Sequence, residues 1–163
     1  MVRTFAKVAL SAAVAGMSAT AFGQALEEVV VTAQKRTESL QDVPISVTAI
    51  SGEQIQNASI RSFSELGAYV PNFSVSENAV NTIITMRGIS IGANQSFEQS
   101  VGMFVDGVHY GRSRQARLGL FDLEQVEVLR GPQGILFGKN TLAGAVNIRT
   151  AAPKVGEGLS GRV

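Results

Sequence analysis

Hydrophobic and polar residues alternate in several short runs of this 163-residue chain, which is the pattern of β-strands with one buried face. The clearest run spans residues 43–50, where Pro44 suits an edge strand or a strand start. In residues 101–110, two short strands flank Asp106 and Gly107, a pair that favours a two-residue type I′ turn. Further strands are predicted at residues 73–75, 83–87, 126–129 and 145–150.

Short helices are predicted between these strands. Ser51 caps a helix that begins in residues 51–55, and Ser62 caps a second helix over residues 62–70, which ends before Pro71. The pattern also predicts a helical turn in residues 118–125 and an exposed polar loop at residues 90–100. Because strands and helices do not follow a regular βαβ rhythm, the predicted fold class is α+β, with a small mixed β-sheet, short helices and long loops.

Composition excludes several kinds of function. The chain has 45% hydrophobic residues, 17% charged residues and a formal net charge of +1, which is typical of one globular domain and gives no general attraction to nucleic acid. It has no cysteine and one histidine, His109, so disulfides, thiolate metal sites and histidine clusters are excluded. The carboxylates are scattered, and we therefore predict no catalytic site, cofactor or metal site.

The N-terminus has the pattern of a secretory signal peptide. Arg3 and Lys7 precede an uncharged, largely apolar run at residues 8–21, which is shorter than the ~20 residues that span a bilayer. Small residues follow this run, so cleavage is expected between Ala21 and Ala25. A buried or anchoring helix is the disfavoured alternative. The sequence therefore predicts export.

Glycines and a proline punctuate residues 126–150 between two predicted strands. They are Gly131, Pro132, Gly134, Gly138 and Gly144. Glycine permits positive φ and close backbone approach, and proline fixes φ, so this spacing predicts a compact structural turn. Residues 134–141 depart from a phosphate-binding loop because three residues separate the glycines instead of four, and Asn140 follows Lys139. The sequence therefore disfavours the hypothesis that the chain is a nucleotide-binding enzyme.

Three parts of the sequence resemble the plug domain of TonB-dependent outer-membrane receptors. They are EEVVVTA at residues 27–33, TMRGI with MFVDGV at residues 85–89 and 103–108, and the glycine-rich residues 126–150. The resemblance implies the same α+β fold and the following organisation. Residues 1–25 are a signal peptide, 26–42 a TonB box and flexible arm, 43–153 the plug domain, and 154–163 the start of the first strand of a β-barrel missing from this chain.

In the resembled family, the TonB box binds TonB, the periplasmic end of an inner-membrane energy-coupling complex. Its residues here are Glu28, Val29, Val30, Val31, Thr32 and Ala33. A β-branched run tethered by a polar arm suits addition as a strand to an exposed sheet edge of another protein. From the residues alone, an ordinary core strand is an equal alternative.

The resemblance also implies a ligand-facing surface, for a small molecule or metal chelate, in the loops that follow two predicted strands. Its residues are Arg87, Gly88, His109, Tyr110 and Arg112. Polar surface loops without a ligand are the alternative. Four charged residues lie on or beside strands, where burial is costly without a partner: Arg87, Glu127, Arg130 and Arg149. Each of them either faces solvent or forms an ion pair within the domain. The resemblance implies instead that several of them face charged residues on the inner wall of a barrel.

The function implied by the resemblance is that of a plug, and the chain is expected not to be an enzyme. A plug of this family gates energy-coupled uptake of a scarce nutrient, such as a ferric siderophore, cobalamin or a carbohydrate, at the cell outer membrane. The alternative is a stand-alone periplasmic interaction or signalling module with the plug fold.

Overall fold

The computed structural model describes residues 29–32, 36, 38–79, 81–92, 98–117, 119–153 and 156. The predicted signal peptide, Glu28, Ala33 and nearly all of residues 154–163 lie outside these residues. Within the described part of the chain, no helix has the length and apolar character needed to cross a membrane.

Nine strands and three short α-helices are assigned in the described residues. In chain order they are β1 (Val30–Val31), β2 (Glu38–Ser39), β3 (Ser46–Ser51), α1 (Gly52–Asn57), α2 (Phe63–Leu66), β4 (Phe73–Glu77), β5 (Thr82–Met86), β6 (Val101–Val105), β7 (Val108–Tyr110), a 3₁₀ helix (Ser113–Arg117), β8 (Leu123–Arg130), α3 (Gly134–Phe137) and β9 (Gly144–Thr150). This is the predicted α+β class.

A five-stranded mixed sheet forms the centre of the molecule, with the strand order β3-β8-β9-β6-β7. β6 and β9 run parallel, and the other neighbours run antiparallel. Two smaller antiparallel pairs, β1 with β2 and β4 with β5, flank this sheet. The central strands β8 and β9 are buried on both faces, which requires a cover on each side.

Helices α1 and α2 and the β4–β5 hairpin cover the first face. Val126 and Val128 of β8 pack there with Phe63 and Leu66 of α2 and with Met86 of β5. The predicted cap of α1 is confirmed: the Ser51 hydroxyl accepts from the amide of Gln54, and the Gln54 side chain accepts from the amide of Ser51. This reciprocal cap ends β3 and starts the helix in one step.

The N-terminal hairpin of β1 and β2 covers the second face. Val31 packs in one cluster with Val43 and with three residues of the sheet, Phe104, Leu129 and Ala145. Leu129 and Ala145 follow Val128 and precede Val146, so the alternation of side chains along β8 and β9 places them on the opposite face from the first cluster. Within the predicted TonB box and arm, Val31 and Leu40 are therefore packed against the domain, whereas Arg36, Gln41 and Asp42 are exposed.

Three predicted elements differ from the structure. The prediction of a helical turn at residues 118–125 is wrong, because β8 already begins at Leu123, where it pairs with β9, and from Gln125 onwards it also pairs with β3. The helix at residues 62–70 is confined to α2, since Gly67 ends it. The strand at residues 43–50 begins only at Ser46, after Pro44, which has no amide to donate to a neighbouring strand.

Both predicted turns are present. Asp106 and Gly107 have φ of 49° and 81°, as the type I′ hairpin between β6 and β7 requires. In the glycine-rich segment, Gly131 is buried with φ of 113°, and its amide donates to the Ala143 carbonyl oxygen at 2.9 Å. Gly134 instead starts α3, an element the sequence did not predict, and has no positive φ.

Candidate functional site

Residues 29–32 lie against the second face of the central sheet, and β1, at Val30–Val31, is one strand of the N-terminal hairpin. Val30 is opposite Ser39 and Val31 is opposite Glu38, and the amide of Leu40 donates to the Val29 carbonyl oxygen at 2.9 Å. Val31 is 0% exposed, whereas Val29 and Val30 are 45% and 41% exposed. The segment thus has one valine anchored in the protein and two valines facing solvent.

A buried carboxylate holds the end of this segment. Glu127 of β8 is 0% exposed, and its Oε1 accepts a hydrogen bond from the amide of Thr32 at 2.5 Å. The Thr32 hydroxyl lies 3.1 Å and 3.3 Å from the two carboxylate oxygens, and Asn147 Nδ2 of β9 donates to Oε2 at 3.0 Å. Gln125 Nε2, from the same strand as Glu127, donates to the Val30 carbonyl oxygen at 3.1 Å.

The partners that the structure gives Glu127 are all neutral donors. Burying an ionised carboxylate is costly unless hydrogen bonds replace the lost water, and bonds to an ionised acceptor are roughly twice as strong as neutral ones. The backbone and hydroxyl of Thr32 supply part of that replacement. The N-terminal segment and the sheet therefore stabilise each other at this point.

A cavity of about 500 Å³ lies beside this contact, between the N-terminal segment and the β6–β7 hairpin. Its lining includes Arg149 and Asp106, but both already have partners. Arg149 pairs with Glu124 at 3.1 Å, and the Asp106 carboxylate accepts from the amide and hydroxyl of Thr150 at 2.9 Å and 2.8 Å. Asp106 thus joins the end of β9 to the β6–β7 turn, and Arg149 has an ion partner within the domain, with both side chains of that pair partly exposed.

The predicted ligand-facing residues fall into two groups. Arg87 and Gly88 follow β5 and lie beside the glycine-rich turn: a Cβ at Gly131 would be 3.3 Å from Arg87 Nη1. Arg87 is exposed and has φ of 51°, an uncommon conformation for a residue other than glycine. Arg87 is therefore exposed at a constrained turn, and its guanidinium lies against the backbone of Gly131.

His109 and Tyr110 lie on β7, the edge strand, opposite Phe104 and Met103 of β6. The His109 ring packs on Phe104 with 5.1 Å between ring centres. The chain then reaches Arg112 at the end of the sheet where β6 begins. The structure therefore brings Arg112 to the same end of the sheet as the glycine-rich turn, while His109 lies part-way along the edge.

Glu98, which the sequence did not single out, lies at this end of the sheet. It accepts from Asn140 Nδ2 at 2.6 Å and pairs with Lys139 at 3.2 Å. These contacts hold the pKa of Glu98 below its usual value, the hydrogen bond from Asn140 having the largest effect and Lys139 the next. Arg112 adds a smaller attraction. In the sequence, the only signal for this pairing was the polarity of residues 90–100.

Arg130 and Gly144 show how tightly the glycine-rich turn is built. The half-buried Arg130 donates to the Pro71 carbonyl oxygen at 3.5 Å. A Cβ at Gly144 would collide with the Leu129 carbonyl oxygen and with Met86 Sδ. The predicted need for close backbone approach is met at Gly144. Among the residues described, no group of three or more metal-ligating side chains occurs.

Comparison with known proteins identifies this architecture. The family model described as TonB-dependent Receptor Plug Domain matches residues 39–145. The pesticin receptor of Yersinia pestis is 34% identical over 127 residues, which are 76% of this chain and 19% of that protein. The vitamin B12 transporter BtuB of Vibrio vulnificus is 30% identical over 142 residues, which are 83% of this chain and 22% of that protein.

Solved structures agree with the sequence relatives. The ferric yersiniabactin uptake receptor FyuA from Yersinia pestis superposes with a TM-score of 0.60 at 33% identity, over 67% of this chain and 17% of that one. The ferripyoverdine receptor of the outer membrane of Pseudomonas aeruginosa gives a TM-score of 0.62 at 18% identity, over 77% of this chain and 17% of that one, and shows the shared fold.

The chain spans about a fifth of the length of the curated relatives it matches. Those relatives are receptors and transporters, including the ferrichrome outer membrane transporter of Escherichia coli, so the predictions of a non-enzyme and of an outer-membrane location are confirmed. The match to the family model covers most of the folded domain described above. The chain belongs to the plug-domain family of TonB-dependent receptors.

Proposed function

We propose that this chain is the gating part of a receptor that takes up a scarce nutrient, and that residues 28–33 are its TonB-binding segment. The observation that carries the proposal is that β1 has an edge with no neighbouring strand in the part of the chain that the structure describes. Among the described strands, only β2 pairs with it, so one edge of β1 is not part of any sheet. A short, β-branched strand in which Val30 faces solvent, preceded by the exposed Val29, is suited to pairing with another protein.

The ligand we propose is a small molecule or metal chelate of the siderophore or cobalamin class. Support comes from relatives named for ferric yersiniabactin and for vitamin B12. The exposed Arg87 and the Arg112 loop lie at the end of the sheet that carries the glycine-rich turn, and they are the proposed ligand-facing groups. The proposed barrel would surround the domain and complete the transport path.

The proposal of TonB pairing is tested with a labelled peptide covering residues 25–35, titrated against the periplasmic domain of TonB. Val30→Pro removes an amide donor and fixes φ, whereas Val30→Ile keeps the β-branched backbone preference. Since each lost net hydrogen bond costs about 0.5–1.5 kcal/mol and the broken register removes several, the proline peptide should bind at least about tenfold more weakly. The isoleucine peptide should bind like the parent. Equal binding of the proline peptide, or no saturable binding of the parent, would refute the assignment.

A further inference from the structure

The backbone of β1 alternates between two sides, and each side has a different partner. The Val29 carbonyl bonds to the amide of Leu40, so the backbone groups of Val29 and Val31 point towards β2. The backbone groups of Val30 and Thr32 point the other way. This second side is the edge at which another strand could be added.

Side chains of the central sheet occupy that edge. Gln125 Nε2 donates to the carbonyl oxygen of Val30, and Glu127 Oε1 accepts from the amide of Thr32. A donor and an acceptor thus take the places that the amide and carbonyl groups of a paired strand would take. Asn147 Nδ2 in turn fixes Glu127 through its Oε2 at 3.0 Å.

We infer that Gln125, Glu127 and Asn147 form a clasp that occludes the pairing edge of β1, so that a partner strand can add only when the clasp opens. The inference rests on the proposed TonB pairing of residues 28–33. Glu127 is the central positioning residue because its carboxylate connects the amide of Thr32 to Asn147. The strength of the clasp sets the fraction of molecules in which the segment is available.

The first test measures hydrogen exchange at the amide of Thr32 in the full chain without TonB. Glu127→Gln keeps one acceptor oxygen but places an NH₂ group opposite the NH₂ group of Asn147, so we expect about ten- to hundredfold faster exchange. Glu124→Gln is the matched control. It makes the same change on the same strand, but Glu124 is exposed and contacts Arg149 instead of the segment.

A reciprocal pair of substitutions separates the clasp from a general loss of stability. Glu127→Gln combined with Asn147→Asp exchanges the donor and acceptor groups and keeps one buried carboxylate, so slow exchange at Thr32 should return. Gln125→Ala removes only the hydrogen bond to the Val30 carbonyl oxygen and leaves the buried carboxylate in place. It should therefore have a smaller effect, with about two- to tenfold faster exchange at Thr32. Exchange at Val128, in the middle of β8, reports whether each variant remains folded.

The second test titrates the same variants of this chain with the periplasmic domain of TonB. Glu127→Gln should bind more tightly than the parent by about the factor measured at Thr32, and the double variant should bind like the parent. Exchange at Thr32 that is no faster in Glu127→Gln than in Glu124→Gln would overturn the clasp. Faster exchange without tighter binding, when the parent peptide binds TonB, would also overturn it. Failure of the peptide itself would instead refute the TonB assignment.

Discussion

Val31→Ala is the substitution that most directly tests whether the N-terminal hairpin is anchored on the sheet. Val31 is completely buried against Val43, Phe104, Leu129 and Ala145. The change removes two methyl groups, which is about 1.6 kcal/mol at about 0.8 kcal/mol for each buried CH₂-sized group. Incomplete collapse of the resulting cavity adds to this loss, so the total expected is about 2–3 kcal/mol.

The assay is hydrogen exchange at the amide of Leu40, which donates across the hairpin to the Val29 carbonyl oxygen. The exchange rate of this amide measures opening of the hairpin, whether the hairpin opens alone or together with the whole domain. At about 1.4 kcal/mol for each tenfold change, Val31→Ala should accelerate exchange by about 30- to 150-fold. Val30→Ala is the matched control on the opposite side of the same strand, with an expected change of threefold or less. Equal acceleration by the two variants would refute the burial argument.

Three further outcomes are expected. In urea denaturation, Gly138→Ala should cost about 1–3 kcal/mol because Gly138 has φ of 79° and ψ of −154°, whereas Gly134→Ala, in a helix and open space, should be neutral or stabilising. The pKa of Glu98 is lowered, so its contribution to stability is complete above the ordinary glutamate pKa and is lost as pH falls through the lowered value; NMR titration of Asn140→Ala should show this pKa rising. Mass spectrometry of exported protein should find the mature N-terminus within residues 22–26, and an intact Met1 would contradict the predicted signal peptide.

The elements predicted correctly are those with a strong local cause. Asp106 and Gly107 specify their turn because both positions need positive φ, and Ser51 specifies a helix start through its capping hydrogen bond. The two strands around the glycine-rich turn were also recognised from their β-branched residues. In each case the information lies within a few neighbouring residues.

The remaining features depend on contacts between distant residues. Residues 118–125 have no local signal for the start of β8, which is stabilised by pairing with β3 and β9 on its two sides. The sequence marked Glu127 as a charge in need of a partner, but Thr32 lies 95 positions away and could not be named. The same holds for Glu98 and Asn140, which lie 42 positions apart.

The 95-residue separation between Thr32 and Glu127 also constrains the order in which the protein folds. The docking surface for residues 29–32 exists only after β8 and β9 have been synthesised and have paired with each other. Closing so long a loop has an entropic cost that is recovered only once that surface is complete. Residues 29–32 are synthesised before β8 and β9 and are therefore expected to dock last, and to remain until then an unpaired segment accessible to chaperones and to proteases.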